Sequence, residues 1–249
     1  MKKLVIAFAA CALAGLASAQ VYSQNIVGYV AQPLVGGKFN MYVVPFEAVG
    51  GGNVFIPELL SGNLTAGGDS GLGDTIQIWN PATSGYDDYY LFDNGDGTAT
   101  WWKGDDSEEM GPMPAGTTFW YEAKGDNGSV TVSGQVITTG TFSESVIGGK
   151  FNMLACPYPV EFDPNNINAI DWMACGATAG GDSGLGDTIQ IWNPATSGYV
   201  DYYLFDNGDG TATWWYADDS AEADPIPMGV PFWYESKGMS FTAVFKKTF

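Results

Sequence analysis

Apolar and polar positions along this chain fall into short blocks of two kinds. Thr75-Ile76-Gln77-Ile78-Trp79 alternates, as a strand with one covered face does, whereas Tyr89-Tyr90-Leu91-Phe92 and Phe119-Trp120-Tyr121 are apolar at every position. Neighbours on a strand point to opposite faces, so the second kind needs cover on both sides, as in a closed barrel or a sandwich with an extra layer. By the same rule Trp101 and Trp102 cannot both enter one core, and one of them meets solvent, another layer or a partner. Long helical periodicity is missing, and the blocks are separated by glycine and proline turns, so the pattern predicts an all-β protein. In the first half it predicts strands near residues 26–35, 39–45, 74–80, 88–93, 98–103, 117–123 and 129–136. Asn80-Pro81-Ala82-Thr83-Ser84-Gly85 is an explicit turn, and Asp93-Asn94-Gly95-Asp96-Gly97 joins two aromatic strands as a hairpin. Only Ile56-Pro57-Glu58-Leu59-Leu60, opening with a proline suited to a helix start, reads as helical in this half.

The same pattern then returns. Residues 65–102 reappear as residues 178–215 with one change in 38 positions, Asp87 against Val200. Gly36-Gly37-Lys38-Phe39-Asn40-Met41 recurs as Gly148-Gly149-Lys150-Phe151-Asn152-Met153, and Phe119-Trp120-Tyr121-Glu122 as Phe232-Trp233-Tyr234-Glu235. A period of 112 to 113 residues is the size of a small domain rather than of a solenoid turn. The expected architecture is therefore two homologous β-sandwich or barrel-like domains in tandem, residues 20–137 and 138–249, each with one short helical insert. In the second copy that insert follows Asp163-Pro164 and covers Asn168-Ala169-Ile170-Asp171-Trp172-Met173, where the copies diverge most.

Residues 1–19 carry Lys2 and Lys3, an apolar run and Ala17-Ser18-Ala19, the parts of a secretory signal, with cleavage expected before Gln20. The expected location is thus outside the cell, at its surface, or in a periplasm. No later run is long and apolar enough for a transmembrane helix. The chain has 28 acidic residues against 9 basic ones and no histidine, a net charge of −19, which makes nucleic acid a poor partner. Cys156 and Cys175, the two cysteines beyond the signal, lie in the second copy only and are candidates for one disulfide, with two buried thiols as the alternative. Because the first copy manages without them, a catalytic or metal role is not expected.

The segments Val21-Tyr22-Ser23-Gln24-Asn25-Ile26-Val27-Gly28-Tyr29-Val30, Gly37-Lys38-Phe39-Asn40-Met41, Gly73-Asp74-Thr75-Ile76-Gln77-Ile78-Trp79 and residues 116–121 resemble a group of secreted tandem-repeat proteins of verrucomicrobial-type bacteria. That resemblance implies an exported β-rich protein. It implies no activity that can be carried onto particular residues, since the shared motifs are strands and turns.

Several constellations could carry chemistry. Gly68-Asp69-Ser70-Gly71, repeated as Gly181-Asp182-Ser183-Gly184, resembles the nucleophile segment of serine proteases, but a chain without histidine lacks the usual base. The loop reads instead as glycine-rich, with Asp and Ser bonding the backbone. Calcium needs six to eight oxygens, and Asp93, Asp96, Asp206 and Asp209 are the candidate ligands, although their spacing fits a hairpin turn better. A glycosidase would need two carboxylates about 5 to 10 Å apart, which spacing alone does not reveal. The aromatics are the strongest candidates, because exposed rings on a sheet stack on sugar faces. Trp79, Tyr90 and Trp102, with their copies Trp192, Tyr203 and Trp215, are the candidate ligand-binding residues, pure packing being the alternative. The leading expectation is a non-enzymatic structural or adhesion protein without cofactor, calcium apart, whose partners are polysaccharide, cell-surface proteins or further copies of itself. The alternatives are a carbohydrate-binding module and, from the alternation of Phe241, Ala243 and Phe245 toward Phe249, an outer-membrane barrel.

Overall fold

A computed structural model describes residues 27–54, 60–62 and 64–249. The signal segment, and the helical stretch expected at residues 56–60 apart from Leu60, lie outside the described residues. The regular structure of the described chain is nearly all strand, and its strands pair antiparallel.

The first copy contains β1 (Val27–Leu34), β2 (Phe39–Val43), β3 (Phe46–Glu47), β4 (Leu60–Gly62), β5 (Thr75–Asn80), β6 (Gly85–Asp93), β7 (Ala99–Lys103), β8 (Thr118–Glu122) and β9 (Gly128–Val136). The second contains β10 (Thr141–Val146), β11 (Phe151–Leu154), the helix α1 (Trp172–Cys175), β12 (Thr188–Asn193), β13 (Gly198–Asp206), β14 (Ala212–Tyr216), β15 (Phe232–Glu235) and β16 (Phe241–Lys246). Each copy builds one five-stranded sheet in the same order, β2-β8-β5-β6-β7 and β11-β15-β12-β13-β14. A smaller sheet lies over each: β1-β9-β3 with β4 also on β9, and β10-β16. The described strands thus form four open sheets, not one closed barrel, and among the described residues no helix is long and apolar enough to cross a membrane.

Alternation assigns the faces. In the first copy Ile76, Leu91, Trp101, Phe119 and Tyr121 point inward and pack with Val30, Leu34, Val130 and Val132 of the small sheet. In the second, Ile189, Leu204, Trp214, Phe232 and Tyr234 meet Val146, Ala243 and Phe245, with Trp172 of α1 stacked on Tyr234 at 5.1 Å. These clusters draw on residues 30–136 and 137–245 respectively. The helix is short but capped: Asp171 Oδ1 accepts from the Ala174 backbone N–H at 3.0 Å.

The expected disulfide is not formed. Cys156 and Cys175 are both free thiols, each half-buried against the second cluster. The Cys156 sulfur faces the Tyr158 carbonyl at 4.0 Å, and burial pushes its thiol up to about 11. Apolar packing, rather than a bond to one another, accounts for both positions.

A third cluster joins the copies. The outward residues Met41 and Trp120 of one five-stranded sheet meet Met153 and Trp233 of the other, flanked by Trp79 and Trp192. The main contacts across this seam come in mirrored pairs, whereas the bond from the Thr118 hydroxyl to Met153 O at 3.0 Å has none, since Pro231 stands at the equivalent position. Trp79 stands edge-on to Trp233 at 5.2 Å and Trp192 to Trp120 at 5.4 Å. The Trp79 indole N–H donates to Phe151 O and that of Trp192 to Phe39 O, both at 2.8 Å. Lys38 reaches Ser197 and Lys150 reaches Ser84. The copies are therefore packed as an isologous dimer within one chain. The result is four layers, with the two large sheets in the middle.

Loops lock the outer layers across the same seam. Gly229, at φ +75°, passes beneath β1, and the buried Gln32 side chain donates to its carbonyl at 2.5 Å; a Cβ there would come within 2.4 Å of that amide nitrogen. The mirror position pairs Gly116 (φ +87°) with Glu144 of β10, whose Oε1 would lie 2.8 Å from a Cβ on Gly116. A carboxyl group thus stands where the other copy has an amide. Burial alone raises it from 4.5 to about 7, and the residues lining the hollow around it include no other charged side chain.

Two predictions follow from the seam and its locks. The folded chain holds the Glu144 proton more tightly than the unfolded chain, so this group's contribution is complete below pH 4.5 and is lost as pH rises toward about 7. Glu144→Gln should remove that loss: its urea midpoint should exceed that of the parent by a margin that grows between those pH values, and a constant margin would sink the assignment. Trp233, 7% exposed, should cost about 3 kcal/mol on replacement by alanine, read from the same denaturation curves.

Candidate functional site

The outward face of the first large sheet is aromatic along its whole width, yet the other copy covers only part of it. Beyond the seam, at the far end of β6 and β7, Tyr90, Phe92 and Trp102 lie on that same face. Tyr90 pairs with Trp102 across the strands, and Tyr90 and Phe92 stand edge to face at 6.2 Å. With Asp69, Asn94 and Asp106 they line a groove of about 430 Å³.

Two loops wall it. The first, residues 67–73, is fastened by backbone bonds between Gly67 and both Leu91 and Asp93, and its Asp69 Oδ1 accepts from the Gly71 N–H at 2.8 Å. The root of this loop is held by Asp74, a carboxylate with no exposure that accepts from the backbone of Thr65 at 2.8 Å and Lys124 at 2.7 Å and from the Tyr121 hydroxyl. The second wall contains Asp106, a non-glycine residue at φ +60°. That backbone aims its carboxylate at the Tyr90 hydroxyl, which donates to it at 2.5 Å. The hydrogen bond to Asp106, then burial, then the charges of Asp106 and Asp69 all raise the Tyr90 hydroxyl above its ordinary value.

The second copy repeats the arrangement. Tyr203 donates to Asp219 at 2.5 Å, Asp219 has φ +59°, and the hydroxyl is pushed up to about 12, first by that bond, with Asp219 and Asp182 adding their charges. Phe205 stands 6.2 Å from Tyr203 and 6.5 Å from Trp215, edge to face in both cases. The Trp215 indole N–H is buried without a partner.

No protein-family model, curated protein or solved structure matches this chain. The geometry therefore stands alone.

Of the sequence-expected ligand residues, Tyr90 and Trp102 come together in this groove and Tyr203 and Trp215 pair at the equivalent place in the second copy, while Trp79 and Trp192 lie in the seam. The candidate calcium ligands stay in their hairpins. Asp93 Oδ1 accepts from Gly95 at 2.8 Å, and Asp96 Oδ1 accepts from both the backbone and the hydroxyl of Thr98, which holds that carboxyl below its usual range. Asp206 and Asp209 do the same with Gly208 and Thr211. Among the described residues no group of three or more acidic, histidine or cysteine side chains could hold a metal ion. Sequence reasoning did not assign Asp106, Asn94 and Phe92 to a ligand site. The repeat held a signal for the first of them, because Asp105-Asp106-Ser107 recurs as Asp218-Asp219-Ser220 just beyond the near-identical block.

Replacing Asp74 by alanine would leave the buried donors of Thr65, Tyr121 and Lys124 unpaired. The expected cost is about 3 kcal/mol of stability, with the wall at residues 67–73 released to proteolysis under conditions where the remaining chain resists it.

Proposed function

We propose that this chain is an exported, non-enzymatic adhesion protein that attaches to carbohydrate through two copies of one aromatic groove. The observation that carries the reading is the uncovered end of the aromatic face. There the half-buried Phe92 and Trp102, backed by the buried Tyr90, line a groove with carboxylate and amide oxygens at its edge. A flat ring can stack on the face of a pyranose while those oxygens accept from its hydroxyls. Duplication supports attachment rather than capture of a single small molecule, because two sites on one chain gain avidity on a repetitive polymer.

The test is a titration of intrinsic tryptophan fluorescence in the chain from Gln20 onward against soluble polysaccharides, with and without calcium. The parent should respond saturably to at least one polymer. Trp102→Ala combined with Trp215→Ala should weaken that response at least about tenfold with the melting temperature nearly unchanged. A collapse of the melt with no binding by the parent would assign these rings to packing. Particles heavier than a monomer, with no sugar response, would favour a structural assembly unit instead.

A further inference from the structure

The groove is selective in its chemistry. Asp69 has one carboxylate oxygen bonded to Gly71 and Asp106 has one bonded to Tyr90, which leaves one oxygen on each. Asn94 directs its amide hydrogens to Thr98 and Thr100, both at 2.9 Å, so its carbonyl oxygen is the atom left for a ligand. The Tyr90 hydroxyl donates to Asp106 and can offer only a lone pair. Apart from the Ser70 hydroxyl and the Trp102 indole N–H, the side-chain polar groups lining the groove are therefore acceptors, two of them charged. None of the lining residues is basic, and the nearby Lys103 is paired with Glu108 at 3.0 Å.

This lining favours an occupant that brings donors and positive charge. A sugar hydroxyl brings one proton to a carboxylate, whereas an ammonium group brings three protons and a full charge and is also attracted to aromatic faces. The net charge of −19 adds a long-range field of the same sign. Both carboxylates already act on one point, the Tyr90 hydroxyl, and their counterparts act on Tyr203.

We propose that the two grooves recognise a glycan with free amino groups, the ammonium lying between Asp69 and Asp106 (Asp182 and Asp219 in the second copy) against the Tyr–Trp pair. This rests on reading the groove as a carbohydrate site. It narrows the ligand to a cationic amino sugar polymer.

The experiment compares three sets of β-linked oligomers of equal length on the whole chain at about 0.15 M salt, where unspecific attraction is screened beyond about 8 Å. The sets are glucosamine with its amine protonated, N-acetylglucosamine and glucose. Glucosamine oligomers should bind at least about tenfold more tightly than either neutral set. Asp69→Asn with Asp182→Asn, which keeps an acceptor for the Gly71 and Gly184 N–H groups, should abolish that preference while leaving the melt unchanged. Equal or tighter binding of neutral oligomers would overturn the amino-sugar assignment and leave the carbohydrate reading standing. Glucosamine binding unaltered by Trp102→Ala with Trp215→Ala would also overturn it, since attraction would then belong to the acidic surface as a whole. Failure of all three sets would remove the carbohydrate reading together with its refinement.

Discussion

A five-stranded sheet with aromatic side chains on both faces cannot leave either face in water, and the whole molecule is organised around that constraint. Each large sheet is covered inward by a small sheet of its own copy and outward by its twin. Ile76 and Phe119 belong to one interior, and Trp120, on the same sheet, to another. Burial of a side chain as large as tryptophan is among the largest single contributions available to a chain of this kind. The mirrored indole hydrogen bonds to Phe151 and Phe39 add direction to that contact. Position of the groove follows from the same geometry, since it is the part of the outward face that the twin sheet does not reach.

Much of this was legible beforehand, for a definable reason. Strand positions follow from two-residue periodicity and turn chemistry, both local, so β1, β5, β7 and β9 fall within a residue or two of expectation. The need for an extra layer was readable from Phe119-Trp120-Tyr121. That the layer would be the other copy was not, because nothing local distinguishes Trp79, which meets Trp233, from Trp102, which lines a groove; both are outward aromatics copied faithfully. Asp106 and Asp96 look alike as loop aspartates too. One is turned by a left-handed backbone toward a tyrosine on a neighbouring strand, and the other closes on its own hairpin. The cysteines misled for a related reason: loop length permits a bridge, but packing decides.

The uneven fidelity of the repeat has a structural counterpart. Residues 65–102 supply β5, β6 and β7, and with them Trp79 of the seam and Asp69, Tyr90, Phe92 and Trp102 of the groove. In the divergent stretch before it, the described strands β3 and β4 pair with β9 of the small sheet. The single change inside the faithful block falls on the inward face: Asp87 is exposed opposite Ile78, whereas Val200 packs opposite Ile191 against the second cluster.

The seam has the form of a two-subunit contact, but its halves share one backbone through the few residues between β9 and β10. For separate halves, association would obey mass action and fail on dilution. Joined, each half meets its twin at a fixed effective concentration however thin the solution, so the four layers persist where a dimer of single copies would separate. The tether also ends the obligation of both halves to be identical. A homodimer must place the same residue at both mirror positions, whereas this chain carries glutamine at one and glutamate at the other.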